Sequence, residues 1–137
     1  MLQLIIEDNE VYNNGVNGTG RGIAFNINMY DSIARNNYVH HQNIGIGING
    51  ESHENQIYNN KISDSKVGID TSEKSFNNNV YNNTITDSTN GIVVKTGASD
   101  NTFELNKIVN ATENGILNVK EDPGTIDNNI FENNKLN

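Results

Sequence analysis

Cysteine and tryptophan are absent from this 137-residue chain, and proline occurs once. Without cysteine there is neither a disulfide framework nor a thiolate metal site. No run approaches the roughly 18 apolar residues needed to span a bilayer, and the opening "MLQLII" is too short, and lacks the basic flank, to be a signal peptide. Basic residues are scarce as well: nine Lys and Arg stand against 17 Asp and Glu, a net charge of −8. Such a surface cannot release phosphate counterions over a broad face, which excludes nucleic acid as a partner. Hydrophobic residues reach only 34%, a value that by itself would suit a disordered chain. What fills the gap is asparagine, about a fifth of the sequence, and the apolar residues that remain are mostly Ile and Val at regular places. That regularity argues for a folded rod.

The regularity is a repeat. "NQIYNNKISDSKVGI" (55–69) returns 23 residues later as "NNVYNNTITDSTNGI" (78–92), and again as "NTFELNKIVNATENGI". Asn37, Asn60, Asn83 and Asn106 fall on one line in steps of 23. Three residues before each stands Ala34, Ile57, Val80 or Phe103; two after stands Val39, Ile62, Ile85 or Ile108. A Gly–Ile pair closes each phrase, at Gly22, Gly45, Gly68, Gly91 and Gly115. Asn9 and Asn134 keep the same internal spacing but are offset by insertions, one at residues 13–20 and one around "KEDPGT". About six copies result.

Short alternating pieces rich in β-branched residues, broken by Asn, Gly, Ser and Asp, are strands and turns. A 23-residue period split into three short strands predicts an all-β chain, a right-handed parallel β-helix of about six coils. One domain, residues 1–137, is expected, as a segment of a longer β-helix. Ile57, Ile62, Ile69, Val80, Ile85 and Ile92 should point inward. The repeated Asn is expected at a bend, where it tolerates left-handed backbone at little cost. Stacked at about 4.8 Å, the Asn9, Asn37, Asn60, Asn83, Asn106 and Asn134 amides would bond to one another as a ladder. Six coils make a rod on the order of 29 Å long. The chain opens inside one strand and stops just after another, so both ends are expected to carry unpaired edges that associate end to end.

The phrase "N-x-I-x-x-N-x-I…G-I" resembles the parallel β-helix repeats shared by carbohydrate-binding proteins and sugar hydrolases, including the copper-associated NosD type. Within it, "LIIEDNEVYNN" and "GIAFNINMYDSIARNNYVHHQNIGIGING" resemble the mid-region of mannuronan C5-epimerases. The resemblance implies polysaccharide as partner, an extracellular or cell-surface parent protein, and C5-epimerase or lyase chemistry as one alternative. Two family features lack counterparts. The Asp-Pro-His motif would fall before Met1, and the arginine after the Gly-Ile of the next coil is Ile27. Epimerisation needs a base for the C5 proton and a cation for the uronate carboxylate, and the matching positions supply neither. Polysaccharide binding without turnover is therefore the expected function; a structural module stacking into filaments is the other alternative.

On such a rod a polysaccharide lies along one sheet, so outward residues near each Gly-Ile are the binding candidates: Asn26, Asn49, Asp70 and Lys95. No aromatic platform stands on that line. A second column, His41, Asp64, Asp87 and Asn110, brings two carboxylates within one coil step, where a cation between them would relieve repulsion. Calcium suits such oxygens, with Asp64, Asp87 and Asn110 as ligands. His40, His41 and His53 are too few for a closed zinc or copper site. Sequons occur at Asn17, Asn82 and Asn110. No catalytic residue is assigned.

Overall fold

A computed structural model describes residues 3–15, 17–95, 97–120 and 127–137. Each turn of the chain contributes three short strands, apart from the last with two among the described residues, and each strand joins one of three parallel sheets. The first sheet stacks Ile5–Glu7, Ile33–Arg35, Gln56–Tyr58, Asn79–Tyr81, Thr102–Glu104 and Ile130–Glu132. The second stacks Glu10–Tyr12, Tyr38–His40, Lys61–Ser63, Thr84–Thr86, Lys107–Val109 and Lys135–Leu136. The third holds Arg21–Phe25, Ile44–Ile48, Val67–Thr71, Asn90–Val94 and Asn114–Asn118. Like residues pair with like: Val39, Ile62, Ile85 and Ile108 are register partners across successive coils.

The expectation of about six coils narrows to about four regular ones. In the first sheet the 23-residue step joins Ile33, Gln56, Asn79 and Thr102. At either end the step is 28 residues, Ile5 to Ile33 and Thr102 to Ile130. The strands keep their register across both longer steps. Of the second insertion, residues 121–126 lie outside the described ones.

The core is a column of branched side chains. Ile57, Ile62, Ile69, Val80, Ile85 and Ile92 all point inward and are fully buried, as expected. Each coil buries only a few side chains, so cohesion comes from contact between neighbouring coils. The Asn ladder runs the length of the rod. Each amide oxygen accepts from the backbone N–H and side-chain amide of the Asn one coil before, as Asn83 Oδ1 does from Asn60 at 3.0 Å each. From Asn37 onward each amide nitrogen also reaches a carbonyl of the preceding coil, Asn83 to Ile57 O at 2.9 Å.

One detail of the bend differs from expectation. The left-handed residue is the one preceding the ladder Asn: Asp8, Asn36, Asn59, Asn82, Leu105 and Asn133, all with φ between 53° and 57°. The ladder Asn must turn its amide inward, so its predecessor makes the turn. The Gly–Ile pairs have a steric cause. A methyl group on Gly68 would lie 2.6 Å from the Gly91 carbonyl oxygen and 2.6 Å from Ile85 Cγ2. No side chain fits where the coils approach this closely.

Candidate functional site

The third sheet carries the chemistry on its outer face. Ile23 and Phe25, Ile46 and Ile48, Ile69 and Thr71, and Ile92 and Val94 point inward and are buried, so the residues between and after them point out. The register sets Ala24, Gly47, Asp70 and Val93 side by side. The next outward column is Asn26, Asn49, Ser72 and Lys95. Asp70 therefore does not share a line with Asn26, Asn49 and Lys95; Ser72 takes that place, and Asp70 stands two residues earlier. Nor is this face uniformly solvated. Asp70 is 1% exposed and Asn49 6%, whereas Asn26 is exposed.

Long cationic side chains cover it. Arg21, at the start of the first strand, lays its stem across Gly47, where a methyl group would lie 2.7 Å from Cδ and Nε. From the fourth coil Lys95 reaches back, its Nζ 3.3 Å from Asp70 Oδ1, while Ser72 donates to Asp70 Oδ2 at 3.2 Å. The ammonium is not aligned for a hydrogen bond, so Oδ1 is buried without one, as is Arg21 Nε. The Asn49 amide is assigned from its network: its nitrogen donates to Asn26 Oδ1 and to the Phe25 carbonyl, and its oxygen accepts from Arg21 Nη2 at 3.3 Å. A buried carboxylate thus fixes a half-exposed ammonium, with the Asn49 amide on the adjacent coil and the Arg21 guanidinium and Asn26 amide on the coil beyond it.

Beyond this column the chain turns a corner, and the corner is grooved. Ile27, Asn28, Gly50, Glu51, Glu73, Lys74 and Gly97 line an open cavity of about 560 Å³. Every one of these residues has positive φ, from 51° at Glu73 to 73° at Gly97. The pairs are tied coil to coil by backbone bonds, Asn28 N to Gly50 O at 2.8 Å and Glu51 N to Glu73 O at 2.9 Å. Left-handed backbone is routine for Gly and tolerated by Asn. At Ile27 (φ 52°) it is an outlier, because a β-branched side chain crowds its own backbone there. Ile27 is also 80% exposed, so little packing offsets that strain.

Aromatic columns, which the sequence reading did not find, follow the groove. Tyr30, His53 and Phe76 stack at 5.4 and 4.6 Å with nearly parallel rings, and His53 Nδ1 lies 3.0 Å from the Glu51 carbonyl oxygen. On the first sheet Tyr58 stacks on Tyr81 at 4.8 Å, and Arg35 donates to Tyr58 Oη and pairs with Glu7. Burial, with Tyr58 and Glu104 nearby, pushes the Tyr81 hydroxyl above its ordinary pKa. These rings spend their faces on each other, which fits them to holding coils together. Their signal was the 23-residue interval itself, 53 to 76 and 58 to 81.

The column His41, Asp64, Asp87 and Asn110 occupies another left-handed position, with φ between 50° and 57°. Backbone conformation accounts for the choice of Asp and Asn there. Asn110 Nδ2 donates to Asp87 Oδ1 at 3.1 Å. His40 Nδ1 lies 2.7 Å from His41 Nδ1, and its Nε2 3.0 Å from Glu10 Oε1. Among the described residues no three or more His, Asp or Glu converge in a metal-holding arrangement, and no helix is long and apolar enough to cross a membrane.

Compared with known families, residues 3–137 match the right handed beta helix region. No curated protein and no solved structure gives a significant match.

Proposed function

Because the chain belongs to the right-handed β-helix family, we propose that it is a carbohydrate-associated module. In this reading it holds a polysaccharide along the corner groove, does not turn it over by itself, and works extracellularly or at a cell surface. The observation that carries the reading is Asp70. A carboxylate buried on the outer face of a sheet contributes nothing to the core, and its desolvation is costly unless it is paired. Its pairing with Lys95 and Ser72 fixes an ammonium at the rim of the groove, on the same outward column as Asn26 and Asn49. Donors held in place by their neighbours suit the recognition of sugar hydroxyls.

Lys95→Met should weaken oligosaccharide binding about tenfold, the worth of one hydrogen bond to a charged group. It should also destabilise the rod by about 2 kcal/mol, because it strands a buried carboxylate whose partner was partly solvated. Adding Asp70→Asn should restore stability without restoring binding. Calorimetric titration against an oligosaccharide panel, with urea denaturation of the same variants, reads both effects. Unchanged binding in the single variant would remove Lys95 from the site.

Two other readings have their own observations. Ile5–Glu7 and Ile130–Glu132 each have one strand partner among the described residues, and Leu4, Ile5, Ile130 and Leu136 are exposed. End-to-end assembly predicts concentration-dependent sedimentation; a clean monomer at high concentration would overturn it. Epimerase or lyase chemistry predicts solvent-isotope uptake at C5 of polymannuronate. The expected result is none above a no-protein control; uptake would turn attention to His40, His41 and Lys95.

A further inference from the structure

We infer that the groove selects neutral saccharides over anionic ones, an assignment that rests on the carbohydrate reading above. The first ground is charge. Glu51 and Glu73 line the groove on successive coils and Lys74 is the one cation among its lining residues, in a chain of net charge −8. An anionic sugar entering there meets two carboxylates. At the rim the Lys95 charge is offset by the buried Asp70 carboxylate at 3.3 Å, which leaves the ammonium's N–H groups for neutral acceptors, and Arg21 Nη2 donates to the Asn49 amide at 3.3 Å. Ionised carboxylates are pure acceptors, which matches them to the hydroxyl donors of a neutral sugar.

The second ground is the exposed apolar surface that the groove offers. Ile27 stands in solvent, held in a conformation that its side chain disfavours, and Gly50 and Gly97 add no side chains. Strained, exposed residues of this kind cluster at ligand sites. A branched aliphatic group beside bare backbone offers a seat for the C–H face of a pyranose ring, while the carboxylates on neighbouring coils, about 4.8 Å apart, accept from its hydroxyls. An anionic sugar could use the apolar seat but would carry its charge against Glu51 and Glu73.

The full chain should be titrated with neutral hexose oligosaccharides and with oligouronates, at low and high salt, while backbone amide shifts are followed by NMR. Neutral oligosaccharides are expected to bind with little salt dependence and to move the amides of Ile27, Gly50 and Glu51. Ile27→Gly should lower that affinity about tenfold by removing apolar contact area. The same change should raise the melting temperature, since Gly accepts positive φ; a folded, more stable variant that binds less well cannot be dismissed as damaged. Binding of oligouronates in preference to neutral sugars would overturn the inference and leave the carbohydrate reading standing. Failure of every saccharide to bind would overturn both. Undiminished binding by Ile27→Gly would remove Ile27 from the contact surface and sink the inference on its second ground.

Discussion

Replacing Asn83 by Leu should destabilise the rod by on the order of 4 kcal/mol or more, a large share of the roughly 5–15 kcal/mol that holds a domain folded. The side chain makes four hydrogen bonds. It accepts from the backbone N–H and the amide of Asn60, and donates to Ile57 O and to Asn106 Oδ1, all between 2.9 and 3.0 Å. Leu is similar in size but returns none of them. It leaves the Asn60 N–H without its acceptor in a place closed to water, and each such orphan costs about 1–3 kcal/mol. The matched control is the preceding residue. Asn82 supplies the left-handed turn (φ 53°), so Asn82→Gly should be nearly neutral. Urea denaturation of both variants checks the pair. Equal losses at 82 and 83 would mean that the turn, and not the ladder, holds the coils in register.

The reason this ladder could be read from the sequence is also the reason its neighbours could not. Asn37, Asn60, Asn83 and Asn106 are flanked on both sides by apolar residues at fixed offsets, so period and inward direction arrive together. A second ladder of the same kind runs through Asn55, Asn78, Asn101 and Asn129: the Asn55 oxygen accepts from the Ser32 N–H at 3.0 Å, and each later oxygen accepts from the Asn before it at 2.9 to 3.1 Å. It keeps the 23-residue step from Asn55 to Asn101 and takes 28 residues to Asn129, but it stands among other Asn residues, as in "FNNNV", where composition hides which one faces in. A shorter series at a third corner links Gln42 to Ser65, where the residue type changes from coil to coil and leaves no pattern to see.

For the candidate site the sequence placed the residues on the right sheet and missed how they combine. Alternation put Asn26, Asn49, Asp70 and Lys95 outward, and the 23-residue step by itself sets Asp70 in the column of Gly47 and Val93, an offset that placing the four on one line overlooks. That offset decides the chemistry. From one column earlier, Asp70 meets Lys95 diagonally, beneath the side chains that bury it. The groove was invisible for a different reason. It is made of backbone turned through consecutive left-handed residues, and Glu51, Glu73 and Lys74 are not types that announce such a turn. Ile27 was visible only as a departure from a family phrase, and its positive φ and exposure give that departure a physical meaning.

Gly68→Ala should cost about 3 kcal/mol, at the upper end of what one inserted methyl does in a tight core. The strand Val67–Thr71 runs between two neighbours, and the added Cβ would lie 2.6 Å from the Gly91 carbonyl oxygen on one of them. That oxygen is backbone in a paired strand and cannot rotate away as a side-chain tip could. Ile85 Cγ2, also at 2.6 Å, belongs to a fully buried side chain in a core packed at close to crystal density. Relief must come from moving one coil off the next, and Asp70 lies two residues along the strand that moves. The Asp70–Lys95 approach joins those same two coils, so Gly68→Ala should weaken saccharide binding as well as stability. Gly18→Ala is the control: a methyl group there meets nothing within 4 Å, and neither property should change. Urea midpoints and calorimetric titration of the two variants decide the matter. A Gly68→Ala protein as stable as the parent would show that the coils do not approach so closely there, and the steric account of the Gly–Ile repeat would fall with it.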